Sequence, residues 1–187
     1  VDISFTDQCE FFGLGAHHLH YTPVAIDTDK YPKFMRSVKK PFRVGHYPSN
    51  AEVKGTKEIL EMIEMLADLR GHDFDFRHSE DRVSHDVQIS RMSSCDIYIE
   101  LFKPILNGKR YGCYGVTAFE AAAMGKVVVT QNIRKDVYMA VFGHSPLVIA
   151  NDETDFYESM KGLLNMSENS MSKLQTETYN WLMLNHS

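Results

Sequence analysis

The chain has 187 residues, 43% hydrophobic and 24% charged, the composition of one ordinary soluble domain with a core of its own. A formal net charge of -5 with scattered Lys and Arg excludes the basic footprint that a phosphate backbone requires, so nucleic acid is not an expected partner. Three cysteines (Cys9, Cys95 and Cys113) without CxxC spacing argue against a disulfide framework or structural zinc, and no apolar run approaches the roughly 20 residues that span a bilayer.

The N-terminal VDISFTDQCE lacks the basic then apolar order of a signal peptide, and the expected location is cytoplasmic, or peripheral to a membrane in a longer protein. The opening on Val and the ending on NHS are consistent with a segment of something longer. In residues 1–40, VDISF and YTPVAI read as strands, whereas FFGLGAHHLH between them has no clear period. This stretch is taken as a lead-in to a domain over 41–187.

From residue 42 onward, strands and helices alternate. Phe42 to Tyr47 reads as a strand, and Thr56 to Arg70 as a helix with Ile59, Leu60, Met62, Ile63 and Leu66 on its apolar face, stopped at Gly71. Phe74 to His78 is a second strand, Ser84 to Ser94 a short helix, and Asp96 to Leu101 a third strand. Gly115 to Met124 reads as helix ending at Gly125, Val127 to Thr130 as a buried strand, Lys135 to Phe142 as helix, and Leu147 to Ala150 as a strand. Two helices close the chain, one carrying Phe156, Met160, Leu163 and Leu164 and the other Met171, Leu174, Trp181 and Leu182. A βαβ rhythm with strands as apolar as VVV implies an α/β fold, Rossmann-like and doubly wound, with a mostly parallel sheet and ligands beyond the carboxyl ends of its strands.

The chemistry concentrates in GCYGVTAFE at 112–120, where glycines precede a helix. Small residues let backbone approach a ligand, and the amides of Gly115, Val116 and Thr117 at a helix N-terminus favour an anion such as a diphosphate. Glu120, one turn in, offers a carboxylate able to accept two hydroxyls of a ribose. Thr117-x-x-Glu120 also reads as a capping box, with Thr117 as the cap, and both readings stand at this point.

YGVTAFEAAAMGKVVVT at 114–130 resembles the donor-site segment of the GT-B glycosyltransferases, in particular the retaining group 1, or family 4, enzymes. The likeness extends to HYPSNAEVKGTKEIL at 46–60 and SSCDIYIE at 93–100, and covers roughly residues 40–187. It implies one half of a GT-B fold that binds a UDP- or GDP-type sugar. Lys54 and the amides of Gly115, Val116 and Thr117 would meet the diphosphate, with Lys54 stabilising the leaving group, and Glu120 would hold the ribose. The acceptor would be bound by an N-terminal domain outside this chain. No cofactor beyond the donor substrate and no metal is implied. Two departures matter: many members carry a sugar-facing Glu where this chain has Gly112, and often an Arg after the first strand, where it offers His46, Ser49 and Asn50. Asn50 is the favoured donor contact of these three.

Other clusters carry less. His17, His18 and His20 lack a supporting Cys or Glu set for a metal, GLGAHH at 13–18 lacks the third Gly of a dinucleotide fingerprint, and Asp73, Asp75, Glu80 and Asp81 read as solvated ends. The expected activity is transfer of a glycosyl group with retention, and the alternative is a nucleotide-sugar-binding module without activity of its own.

Overall fold

The computed structural model describes residues 3–6, 18–21, 24–31, 37–68 and 73–187. Its centre is a parallel sheet of five strands: β3 (Phe42–His46), β4 (Phe74–His78), β5 (Ile97–Ile99), β8 (Val127–Thr130) and β9 (Val148–Ile149), in the order β4-β3-β5-β8-β9. The chain winds outward from β3 to one edge and then from β5 to the other. The switch point of this doubly wound sheet therefore lies between β3 and β5, where a crevice opens at the carboxyl ends.

Alternation along the strands builds two cores. Ile97, Ile99, Val127 and Val129 face one layer with Phe42 and Val44, covered by α2 (Thr56–Asp68) and α6 (Glu153–Asn165). Tyr98 and Val128 face the other, covered by α4 (Val116–Ala123) and α7 (Glu168–Asn185). On α2, Ile59, Met62, Ile63 and Leu66 form the buried stripe, while Leu60, expected on that face, is exposed at its margin. On α4, the fully buried Ala118, Ala121 and Ala122 let the helix lie close to α7, where Trp181 stacks on Phe119.

Helix boundaries follow local chemistry. Ser84 caps α3 (His85–Ser93) by accepting from the amide of Val87, and Asp152 and Ser167 cap α6 and α7 in the same way. Gly125, at φ 68°, follows α4 in the left-handed conformation that ends helices. The helix α5 (Lys135–Phe142) begins and ends where its sequence pattern does. The stop expected at Gly71 lies outside the described residues.

The lead-in differs from expectation. A strand falls on β1 (Ile3–Thr6), but its partner β2 is His18–Tyr21, which lies mostly in the stretch without clear period and takes only Tyr21 from YTPVAI. These two pair in parallel as a sheet of their own. Residues 24–27 are irregular, yet Ile26 is buried in the second core and its amide donates to the His186 carbonyl at 2.7 Å. A hairpin of β6 (Ile105–Leu106) and β7 (Lys109–Arg110), the one-turn α1 (Ala51–Lys54) and a short 3-10 helix at Thr28–Lys30 are the remaining described elements.

Candidate functional site

The loop after β3 carries the first group. Asn50 caps α1, its Oδ1 accepting from the Val53 amide at 3.1 Å, and Lys54 is the last residue of that turn. Gly55 follows at φ 71°. Its missing side chain matters twice, since an L-residue would be strained there and a Cβ would collide with the carbonyl oxygen of Phe102. That carbonyl belongs to the loop after β5, and the Phe102 amide donates to the Lys54 carbonyl at 3.1 Å. The two loops flanking the switch point are thereby locked together.

His46 does not face the crevice. It is fully buried, and burial lowers its pKa to about 4, so the ring is neutral. Its Nδ1–H donates to the Ile99 carbonyl at 2.9 Å, which leaves Nε2 to accept from the Thr56 hydroxyl at 2.9 Å. The ring joins β3 to β5 and α2, and has no free atom for a ligand.

The second group is the start of α4. Gly115 is its N-cap, with no side-chain capping bond, so Thr117 is the second helical residue and not the cap. The capping box is accordingly absent. The helix begins two residues earlier than that motif requires, which moves Glu120 from the capping position into the second turn.

Glu120 turns instead toward the loops. Its Oε1 accepts from the Tyr31 hydroxyl at 2.8 Å and meets His85 Nε2 at 2.9 Å. Burial first, and then the bond to Glu120, push the Tyr31 phenol well above the ordinary tyrosine value. His85 opens α3, more than half exposed, and lies edge-on to Tyr31. Glu120, His85, Val116 and Thr117 line a cleft of about 500 Å³ together with Ser49 and Arg82.

The third group is the one the sequence reading missed. Glu100, immediately after β5, has a side chain with 0% exposure, and its Oε1 is ion-paired with Lys54 Nζ. The same oxygen accepts from the Thr117 hydroxyl at 3.2 Å, while Oε2 accepts from Thr130 at 2.8 Å. A Cβ at Gly115 would collide with Oε1 of Glu100 and lie 2.7 Å from Lys54 Nζ. Three of the residues expected at a diphosphate, Lys54, Gly115 and Thr117, thus converge on the carboxylate of Glu100. The signal was a charged residue ending an otherwise apolar buried strand.

Gly112 also gains a physical reason. At φ 124° it lies against Gln131, where a Cβ would come within 2.6 Å of that residue's own Cβ. Gln131 is fully buried after β8 and holds the Lys103 amide through Oε1. A Glu at position 112 would need both a different backbone and a displaced Gln131.

No protein-family model matches the chain, and no curated protein matches its sequence. Solved structures match its architecture. It is similar to the C-terminal domain of the glycosyl transferase group 1 family protein LpcC from Francisella tularensis, with 13% identity, 87% of this chain and 99% of that one covered, and a TM-score of 0.58. It is also similar to an α,α-trehalose-phosphate synthase (UDP-forming) from Burkholderia vietnamiensis, with 11% identity, 91% and 50% covered, and a TM-score of 0.54. The chain has the fold of a GT-B half. The N-terminal domain of a trehalose-6-phosphate phosphatase from Candida albicans shares this half at 11% identity, 92% and 48% coverage, and a TM-score of 0.61. The chain spans about half the length of this phosphatase domain and of the synthase. A GT-B half carries more than one activity name among these structures, so the chemistry must be argued from the site. Among the described residues, no helix is long and apolar enough to cross a membrane.

Proposed function

We propose that this chain is the donor-binding half of a glycosyltransferase that takes a nucleoside diphosphate sugar and transfers the sugar with retention. The observation that carries the proposal is the meeting of Lys54, Gly115 and Thr117 at the switch point of the sheet, beside a cleft that Glu120 faces. Carboxyl ends of parallel strands are where such sheets bind ligands, and an ammonium next to a helix N-terminus is an anion-binding pair.

In this reading the diphosphate lies against the start of α4, within reach of Lys54 and Asn50, and the amides of Gly115, Val116 and Thr117 point at it. Glu120 accepts the ribose hydroxyls, and the base occupies the cleft near His85 and Arg82. Catalysis consists of holding the donor and stabilising the departing diphosphate, for which Lys54 supplies charge that matters most as the leaving group forms. The names of similar structures support the ligand class, since one is UDP-forming and another concerns glycosyl transfer with retention. The acceptor would come from a second domain. A binding module without turnover is the second reading.

Thermal unfolding with UDP, GDP and ADP tests the proposal. At least one should raise the midpoint, and Lys54→Ala and Glu120→Gln should each abolish the rise. A chain indifferent to every nucleoside diphosphate would end both readings. Assay of donor hydrolysis or transfer by the full-length gene product then separates enzyme from module.

A further inference from the structure

The residues expected at the donor phosphate already hold an anion. Lys54 Nζ is ion-paired with Glu100, the Thr117 hydroxyl donates to the same carboxylate oxygen at 3.2 Å, and the Gly115 backbone stands against it with no room for a Cβ. Both oxygens of Glu100 are engaged, Oε2 by Thr130 at 2.8 Å, and the side chain has 0% exposure. The Lys54 side chain keeps 17% exposure, so the ammonium sits between the buried carboxylate and the surface.

We propose that Glu100 is an intramolecular competitor for the donor phosphate, its carboxylate standing where a phosphate oxygen would be received and neutralising the Lys54 ammonium that the cradle offers. The inference rests on the nucleotide-donor reading for its biological setting, but its physics concerns only an anion and Lys54. With Glu100 ionised, the pair carries no net charge. An incoming phosphate must draw Lys54 away from its partner and also face the repulsion of the carboxylate left behind. Glu100 would therefore set the affinity of the phosphate subsite low, and would help a charged diphosphate product to leave.

A contrary role is also chemically sensible. A buried carboxylate can orient a lysine for phosphate, and removing it would then weaken binding. The two roles predict opposite signs.

Calorimetric titration of inorganic pyrophosphate, UDP and uridine into the wild-type chain, Glu100→Gln, Lys54→Met and the double variant decides between them. Glu100→Gln should bind pyrophosphate and UDP about tenfold or more tighter than wild type, with the affinity for uridine unchanged, and the gain should vanish in the double variant. Unchanged or weaker pyrophosphate binding by Glu100→Gln overturns the proposal. Tighter pyrophosphate binding in a chain that takes up no nucleotide upholds the competitor and ends the nucleotide reading. UDP binding that Glu100→Gln leaves untouched does the reverse. If Glu100→Gln does not fold, judged by circular dichroism, Glu100→Asp serves the same purpose. Its carboxylate is one methylene shorter and loosens the hold on Lys54 while keeping its charge, so a smaller gain than with Gln is expected, and no gain overturns the proposal.

Discussion

Tyr31 and Glu120 stand 89 positions apart in sequence and share a hydrogen bond of 2.8 Å, the phenol donating to the carboxylate that faces the cleft. The bond ties the lead-in segment to the start of α4. It also gives Glu120 a donor in advance of any ribose.

Tyr31→Phe should therefore separate stability from binding. Loss of the phenol donor is expected to lower the unfolding free energy by about 1 kcal/mol. The midpoint rise caused by UDP should be larger than in wild type, because ribose hydroxyls no longer displace a resident donor. Thermal unfolding with and without UDP measures both.

Asn50 caps α1 and was also expected to touch the donor, and two substitutions separate these roles. Asn50→Ala should cost about 1 kcal/mol through the lost cap. Asn50→Asp keeps a capping oxygen, so stability should hold to within about 0.5 kcal/mol, while its added negative charge should weaken pyrophosphate binding. Equal binding by Asn50→Asp and wild type would remove Asn50 from the donor site.

Gly55→Ala should be among the most damaging small changes outside the core. The substitution combines a left-handed backbone with a collision against the Phe102 carbonyl oxygen, neither of which a flexible side chain can relieve. A loss of about 2–4 kcal/mol in chemical denaturation is expected, with loss of nucleotide response as the loop carrying Lys54 shifts.

Acid should destabilise the fold through His46. Its folded pKa of about 4 lies below the unfolded value near 6.5, so the unfolded chain takes up the proton first. The stabilising contribution is whole above the unfolded value and is lost as pH falls from there through 4, amounting to something on the order of 3 kcal/mol. Burial lowers the His186 pKa too, which adds to the same slope. Urea unfolding followed from pH 7 to pH 4 should show a falling midpoint, and His46→Gln should flatten that fall.

Much of the fold was legible because its periodicities are local. The apolar runs of β5 and β8 and the stripe on α2 can be read within a dozen neighbouring residues, and the five strands of the central sheet and helices α2 to α7 fall where such patterns put them, whereas α1 and the β6–β7 hairpin were not foreseen. The close approaches around the candidate site were legible where they are made of backbone and glycine, as at Gly115 and Gly55. What escaped were side chains joined across strands. Glu100 meets Lys54 over 46 positions, and Thr130 reaches Glu100 over 30, relations created by strand pairing that no single window contains. Thr117-x-x-Glu120 misled for the opposite reason. Its spacing fits a capping box, but Gly115 starts the helix, and the motif gives no means of choosing between the two starts.

The pairing of β3 with β5 matches Val44 to Ile97 and Gly45 to Tyr98. Because neighbouring residues of a strand point to opposite sides, this alignment also decides which charge the crevice contains. A slip of one position would invert the facing of β5 and carry the carboxylate of Glu100 to the far side of the sheet, leaving Lys54 without a counter-ion. The sheet thus serves as the alignment gauge of the site: the match between two central strands, made by apolar packing well away from any ligand, fixes the ionic character of the surface that a ligand would meet.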